Sequence, residues 1–146
     1  MRMFKTLATF VLGLPVFLLF ALGTPAQAQP PHYLHALSNL REARELLQTD
    51  ARPGFFGARD RAIEEIDRAI HEVSEAVRDE GRNPHHTPPP AGGDPNRPMR
   101  SALALLDDAR RDIASGADET GHRGLQERAL RHVDEARHIL EHAMHR

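Results

Sequence analysis

A stretch rich in proline and glycine divides the chain and limits the folds open to it. From Asn83 to Pro98 the sequence reads NPHHTPPPAGGDPNRP, with six prolines and two glycines in 16 residues. Proline lacks a backbone N–H and clashes with the preceding helical turn, so no α-helix can run through this stretch. The flanking segments both have helical periodicity. The sequence therefore predicts two helical halves joined by a proline-rich linker at residues 83–98.

Two amphipathic helices are expected before the linker. The first begins at His32 and ends before the turn signal Pro53-Gly54, and the second runs from about Ala58 to Asp79, with Gly81 as its C-terminal cap. Apolar residues recur at the i, i+3, i+4, i+7 spacing of a helix that buries one face. The expected core residues are Tyr33, Ala36, Leu37, Leu40, Ala43 and Leu47, then Ala62, Ile63, Ile66, Ala69, Ile70, Val73, Ala76 and Val77.

Two further helices are expected after the linker. The third starts near Pro98 and stops at Ser115-Gly116, and a turn over residues 117–120 leads to the fourth, with Thr120 as its N-cap. Their expected core residues are Met99, Ala102, Leu103, Leu106, Ala109 and Ile113, then Leu125, Ala129, Val133, Ala136, Leu140 and Ala143, with Met144 at the edge.

The two halves look like copies of one another. At an offset of 66, Arg44 and its apolar neighbours match Arg110 and its neighbours, and at an offset of 67, Asp67 and His71 match Asp134 and His138. One helical hairpin cannot bury its own apolar face, so two copies should pack together. The predicted fold is all-α: an antiparallel four-helix bundle built from two tandem αα-hairpins, residues 32–80 and 98–146, in a single domain over 29–146.

The first 28 residues are typical of a cleaved signal peptide. Arg2 and Lys5 precede an apolar run from Leu7 to Leu22, and Ala26-Gln27-Ala28 supplies the small-x-small cleavage pattern. The apolar run is shorter than the ~20 residues that span a bilayer, and no cysteine follows it to carry a lipid. Export to the periplasm or the extracellular space is expected, without stable membrane insertion after cleavage.

Charge and composition exclude several function classes. The full chain has a formal net charge of −2, and loss of Arg2 and Lys5 brings the mature chain to −4. A net acidic chain is a poor partner for nucleic acid, which requires a cationic surface. The absence of cysteine excludes disulfides, thiolate metal sites, cysteine catalysis and covalently attached haem.

The start of the mature chain carries a resemblance. Its segment from Tyr33 to Arg44 reads YLHALSNLREAR. It resembles small exported bacterial helical proteins of uncharacterised function that open with a similar Tyr-Leu-His-Ala-Leu…Leu-Arg segment. The resemblance implies an exported helical protein and supplies no catalytic residues.

Ten histidines raise the possibility of a metal site. His138 and His142 are one helical turn apart and His145 lies one turn further on, a spacing that suits Zn, Cu or Ni. His85 and His86 lie in the linker. The helix-four histidines fall off the apolar stripe, so a solvated face is the alternative. Histidine-mediated metal binding or buffering is kept as the second functional hypothesis, with His138, His142 and His145 as ligands.

Two other cofactor sites are rejected. Glu135-x-x-His138 matches the motif of di-iron bundles, but those sites need two such motifs facing the core. Here Glu135 and His138 are expected to face outward, and the equivalent motif in helix two begins with Arg68. Haem between the helices is not expected either, because helix one has no methionine and no histidine on its apolar face. No cofactor is expected.

Several charged residues recur in both halves. Asp67/His71 and Asp134/His138 are spaced to pair along one helix, and a surface ion pair is the simplest role for each. Arg44 and Arg110 flank the apolar faces, where a half-buried arginine needs a carboxylate; a repeated pair between helices is favoured over anion binding. Along helix two, ion pairs are expected for Arg61/Glu65, Glu64/Arg68 and Arg68/Glu72.

No residues converge on a catalytic constellation. Phe55 and Phe56 are expected to close the end of the bundle, with a ligand-contacting aromatic patch as the alternative. No serine or threonine lies in an activating motif. The sequence therefore predicts a non-enzymatic exported structural or interaction protein with an unknown protein partner and an oligomeric state that the sequence does not define.

Overall fold

The computed structural model describes residues 31–116 and 121–145. The signal peptide expected over 1–28 and the turn expected over 117–120, with Thr120, lie outside these ranges. Within them the chain forms four α-helices, one short 3-10 helix and no strand. The elements are α1 His32–Thr49, the 3-10 helix Pro53–Phe55, α2 Phe56–Asp79, α3 Pro98–Ser115 and α4 Arg123–Met144. The all-α prediction is confirmed, and the helices lie close to their expected bounds.

The four helices pack around one apolar core. The closest pairings are α1 with α3 and α2 with α4, and α1 also packs on α2 and α3 on α4. Most of the expected core positions are buried. Ile63, Ile70, Leu103 and Leu125 are partly buried against the core, and Ala143 is also only partly buried. Leu46 and Leu105 are buried although the apolar pattern did not include them, and Met144 is exposed.

The end of α2 is closed by the expected glycine. Gly81 has a φ of +71°, a conformation that glycine adopts without steric cost. Its N–H donates to the carbonyl of Arg78 at 2.8 Å, and the N–H of Arg82 donates to Val77 at 3.0 Å. These two bonds form the Schellman arrangement that satisfies the last carbonyls of a helix, and they turn the chain into the linker.

The linker is held against α1 by side-chain hydrogen bonds. Ser38 Oγ donates to the Pro88 carbonyl at 2.6 Å, and Arg41 Nη1 donates to the Pro84 carbonyl at 2.9 Å. Asn39 Oδ1 accepts the N–H of Ala91 at 2.9 Å. The proline-rich segment therefore follows a defined path along the surface of α1.

Close packing of the linker depends on a bare backbone at Gly93. A Cβ built there would lie 2.5 Å from Cδ1 of Leu46 and 3.1 Å from Cβ of Ser101. Ser101 Oγ in turn accepts the N–H of Asp94 at 2.8 Å. The linker thus covers the contact between α1 and α3 before it enters α3. None of the described helices is both long enough and apolar enough to cross a membrane.

A candidate binding face at the loop end of the bundle

One end of the molecule carries the exposed apolar surface. This loop end is formed by the turn at residues 50–55, the start of α2, the first turn of α3 and the last turns of α4. Among the described residues, the exposed large hydrophobic side chains are Phe56 and Met144, which are 41% and 40% exposed. Both lie at the loop end. Aromatic residues and methionine are residue types enriched at protein interfaces.

The two phenylalanines at the loop end differ in their environment. Phe55 is partly buried against the core, and the guanidinium of Arg52 lies 4.4 Å from its ring centroid. Phe56 is exposed, with the Arg59 guanidinium 4.7 Å from its ring centroid. Both arrangements are cation–π contacts. The expectation that both rings close the bundle is correct for Phe55 and wrong for Phe56.

A buried aspartate holds the turn that presents these rings. Asp50 Oδ1 accepts the backbone N–H of Arg52 at 3.2 Å and its Nε–H at 2.8 Å. Arg59 Nη1 donates to the Asp50 carbonyl at 3.0 Å. The hydrogen bonds from the Arg52 side chain hold the pKa of Asp50 below its ordinary value, although burial opposes them. Two arginines from the turn and from α2 thus meet at one buried acidic residue.

A cleft of about 730 Å³ opens between α2 and α4 beside this turn, a size typical of small-ligand sites. Phe55, Ala58, Ile139 and Ala143 supply its apolar walls. The ionisable side chains that line it are Arg61 and His142. This α2–α4 cleft therefore combines apolar walls with a guanidinium and an imidazole.

Arg61 lies in the cleft without the carboxylate expected for it. The expected Arg61/Glu65 pair does not form, because Glu65 binds Arg68 and His132, each at 2.7 Å. Arg61 Nε donates to the Gly57 carbonyl at 3.3 Å, and within the described chain no carboxylate lies within ion-pair distance of it. Arg61 therefore lines the cleft as an exposed guanidinium with no carboxylate partner among the described residues.

Of the two other ion pairs expected along α2, one forms and one does not. The Glu64/Arg68 pair forms. The Arg68/Glu72 pair does not, because Glu72 binds Arg128 of α4 at 2.9 Å. That hydrogen bond holds the pKa of Glu72 below its ordinary value. Side chains that are spaced for pairing along one helix are instead used between helices.

A second cleft, of about 560 Å³, lies on the other side of the last turn of α4. Arg52, Arg97 and Arg100 line this arginine cleft, together with Asp50 and Met144. The two clefts together are lined by four arginines and one aspartate, and that aspartate is already paired with Arg52. Arg97 also lies 4.0 Å from Asp94, so Arg61 and Arg100 are the cleft arginines without a carboxylate partner among the described residues. The loop end is thus rich in arginine and apolar side chains on a chain whose net charge is negative.

The repeated arginines pair with carboxylates on the neighbouring helix. Arg44 Nε lies 2.6 Å from Asp67, and Arg110 Nε lies 2.7 Å from Asp134. The expectation of a repeated pair between helices is confirmed. The expected pairing of Asp67 and Asp134 with histidines one turn along is wrong, because arginines of α1 and α3 take both carboxylates.

The histidines of α4 form an exposed pair. The rings of His138 and His142 are stacked, with centroids 6.3 Å apart and planes 18° apart. His145 is also exposed, and so are His85 and His86 in the linker. In the part of the chain that the structure describes, no group of three or more histidine, aspartate or glutamate side chains is placed to hold a metal ion. Glu135 and His138 face outward, as expected.

No protein family, curated protein or solved structure matches this chain. The side chains at the loop end themselves therefore carry the functional inference.

The α2–α4 cleft was missed by the sequence reasoning, although the sequence held a signal for it. The offset of 67 also matches Gly54 with Gly121 and Gly57 with Gly124, so the repeat extends through the turns. At the position equivalent to Glu72 the second half has Ile139. Both halves thus keep the arginine, Arg61 and Arg128, but only the first half has the acidic residue, Glu72. This difference indicates a site near Arg61 that has no equivalent near Arg128.

Proposed function

We propose that the helices form an antiparallel bundle of two tandem αα-hairpins, made by duplication of one hairpin. In two antiparallel helices, contacting residues have numbers that rise along one helix as they fall along the other, and the ion pairs follow this pattern. Along α2 and α4, Glu65 contacts His132 and Glu72 contacts Arg128. Between α1 and α2, and between α3 and α4, the equivalent pairs Arg44–Asp67 and Arg110–Asp134 have nearly the same length, as two copies of one hairpin would have.

On this scaffold we propose an exported, non-enzymatic interaction module that binds a protein partner through its loop end. The observation that carries the proposal is the coincidence of the two exposed large hydrophobic residues, Phe56 and Met144, with two clefts lined by four arginines. Aromatic residues, methionine and arginine are the types enriched at protein interfaces. Export and the lack of stable membrane insertion after cleavage rest on the signal-peptide pattern of residues 1–28.

The hydrogen bonds of four hydroxyl groups support a non-enzymatic function. Ser38, Thr49, Ser101 and Ser115 each donate to a backbone carbonyl. A nucleophilic hydroxyl requires a base such as histidine within hydrogen-bond reach. These hydroxyls serve the linker and the helix ends instead.

The chemistry of the loop end selects a partner segment that is acidic and apolar. Arginines on the cleft walls attract carboxylates, and the exposed phenylalanine and methionine remove apolar side chains from water. The acidic remainder of the chain disfavours nucleic acid, whose phosphates would be repelled over most of the surface.

Selection from displayed short random peptides tests this proposal. Panning on the purified protein should recover peptides that combine Asp or Glu with apolar residues. Their affinity should fall about tenfold for Phe56→Ser/Met144→Ser, as expected for loss of interface anchors. Arg78→Gln, a surface change in the last turn of α2, is the matched control and should bind normally. Failure to recover any saturable binder, or equal binding to the Phe56/Met144 variant, would contradict the proposal.

Transition-metal binding in the periplasm is the alternative, favoured by the stacked pair His138 and His142. With His145 they would supply up to three imidazole ligands. Calorimetry with Zn²⁺, Cu²⁺ and Ni²⁺ at neutral pH distinguishes the two functions. Sub-micromolar stoichiometric binding that is lost in His138→Ala/His142→Ala would establish the alternative, and millimolar non-saturating binding would exclude it.

A further inference from the structure

We propose that the α2–α4 cleft is a carboxylate-binding site, in which Arg61 receives an acidic group that the partner presents next to an apolar one. The inference rests on the proposed function and names the chemistry that this part of the loop end recognises. It follows from a comparison of the two repeats at equivalent positions, beginning with Arg61, one of the arginines that have no carboxylate partner among the described residues.

The two repeats are equivalent in their contacts as well as in their sequence. The offsets that match Arg44 with Arg110 and Asp67 with Asp134 relate two ion pairs of 2.6 Å and 2.7 Å. The offset of 67 also relates Glu65 to His132, which contact each other between α2 and α4. Because these two equivalent residues contact each other, they lie on the local two-fold axis that relates α2 to α4. The surroundings on the two sides of this contact can therefore be compared position by position.

One side of this contact contains its own carboxylate. Arg128 lies on α4 and binds Glu72 of α2 at 2.9 Å, and the Glu72 side chain is only 16% exposed. The repeat relates Arg128 to Arg61 and Glu72 to Ile139. Arg61 and Ile139 line the same cleft, and at the equivalent position Arg128 and Glu72 contact each other. The Glu72 side chain thus marks where a carboxylate belongs relative to this guanidinium.

On the Arg61 side no carboxylate of the described residues lies within ion-pair distance, so we infer that a partner supplies it. Glu65, the nearest candidate along the helix, is held by Arg68 and His132. Arg61 is exposed at the cleft, and its guanidinium can form charge-assisted hydrogen bonds to an incoming carboxylate. The incoming carboxylate should therefore bind Arg61, with the exposed His142 as a second possible donor.

The walls of the cleft determine what the carboxylate is attached to. Phe55, Ala58, Ile139 and Ala143 offer apolar surface in the cleft that Arg61 lines. A free inorganic anion would leave this surface in water, whereas an aliphatic or aromatic group beside the carboxylate would cover it. The preferred occupant is therefore a protein segment in which an Asp or Glu neighbours an apolar side chain.

A titration with 4-phenylbutyrate tests the inference, because this probe carries one carboxylate on an apolar tail. Its uncharged amide is the matched probe. Amide-proton shifts should saturate at Gly54, Gly57 and Ala143 with a dissociation constant on the order of 1 mM, as for a fragment held by one ion pair and a small apolar contact. The amide should bind about tenfold more weakly. Arg61→Gln should weaken phenylbutyrate binding by a similar factor, whereas Arg128→Gln should leave it unchanged.

The results that would overturn the carboxylate site differ from those that would overturn the proposed function. Equal binding of acid and amide, or unchanged binding in Arg61→Gln, would overturn the carboxylate inference while the loop end still binds. Absence of saturable shifts at the cleft would overturn it as well. The proposed function is tested independently by the peptide selection and by the Phe56→Ser/Met144→Ser variant. Its outcome therefore does not depend on the Arg61 site.

Discussion

Asp50 is the acidic side chain that lines the arginine cleft, and it is buried beneath the turn that it holds. It binds the main chain and side chain of Arg52, and its carbonyl binds Arg59. Those two arginines in turn lie over Phe55 and Phe56. One buried carboxylate thus supports the positions of two aromatic rings at the loop end.

Asp50→Asn should lower the free energy of unfolding at pH 7 by about 1–2 kcal/mol, as expected for loss of charge-assisted hydrogen bonds at a partly solvated turn. Because the pKa of Asp50 is lowered in the folded state from 3.8, its stabilising effect is complete above about pH 4 and is lost as the pH falls through the folded-state value. Urea unfolding at pH 7 and at about pH 2 measures both.

Asp60→Asn is the control for this prediction, since Asp60 also binds an arginine but is 64% exposed. It should change stability by only a few tenths of a kcal/mol. If Asp50→Asn unfolds like wild type at pH 7, or if its deficit persists unchanged in acid, the assigned role of Asp50 is wrong.

At the residue scale, ion pairs between helices were harder to predict than burial. Arg44 and Arg110 could be assigned inter-helix partners because both flank an apolar face and need a carboxylate there. The expected Arg61/Glu65 pair failed because spacing along one helix does not reveal what the next helix offers. Glu65 meets His132 on α4 and Glu72 meets Arg128, and both contacts depend on the packing of α2 against α4.

At the scale of the elements, the linker is the part whose structure was least predictable from its composition. Six prolines and two glycines indicated only that it is not helical. Its path is determined by Ser38, Asn39 and Arg41, three polar residues on α1 that bind its backbone groups. Periodicity of apolar residues identified the helices to within a few residues, but it carries no information about polar side chains that bind a neighbouring loop.

Asn39→Ala should detach the middle of the linker from α1. Asn39 is 6% exposed and accepts the Ala91 N–H, so its removal leaves that donor without its partner and should cost about 1–2 kcal/mol. Hydrogen exchange at the Ala91 amide is the direct measurement, and its protection should be lost while amides in the α1 core stay protected.

Thr49→Ala is the matched control, because the Thr49 hydroxyl binds only the Leu46 carbonyl of its own helix. It should leave exchange at Ala91 unchanged. Equal protection of Ala91 in Asn39→Ala and wild type would show that the linker is held by other contacts.

At the scale of the whole molecule, the proposed duplication would give a symmetric scaffold whose two repeats differ at its ends. One end of the α2–α4 pair is closed by the ion pair Glu72–Arg128, and the other is open between Arg61 and Ile139. We infer that a binding function resides where duplication has been followed by divergence. On the proposed two-hairpin architecture the scaffold requires both halves, since one hairpin does not bury its apolar face alone.

The sequence predicted much of this scaffold and little of the candidate site. His142 and Phe55 were both singled out, the first as a metal ligand and the second as a cap, and both line the α2–α4 cleft. Arg61 was assigned to an ion pair and Ile139 to no role. Recognition of the cleft required knowing that these four residues meet, which depends on the contact between the start of α2 and the end of α4.

Exchanging the two sides of the repeat tests the account most directly. The number of saturable 4-phenylbutyrate sites is measured by amide-proton shifts in wild type, Ile139→Glu and Glu72→Ile. Wild type should have one site, at Arg61. Ile139→Glu should have none, because its own carboxylate would occupy Arg61, and Glu72→Ile should have two, because Arg128 would be opened. The same single site in all three proteins, with folding unchanged by circular dichroism, would contradict the account.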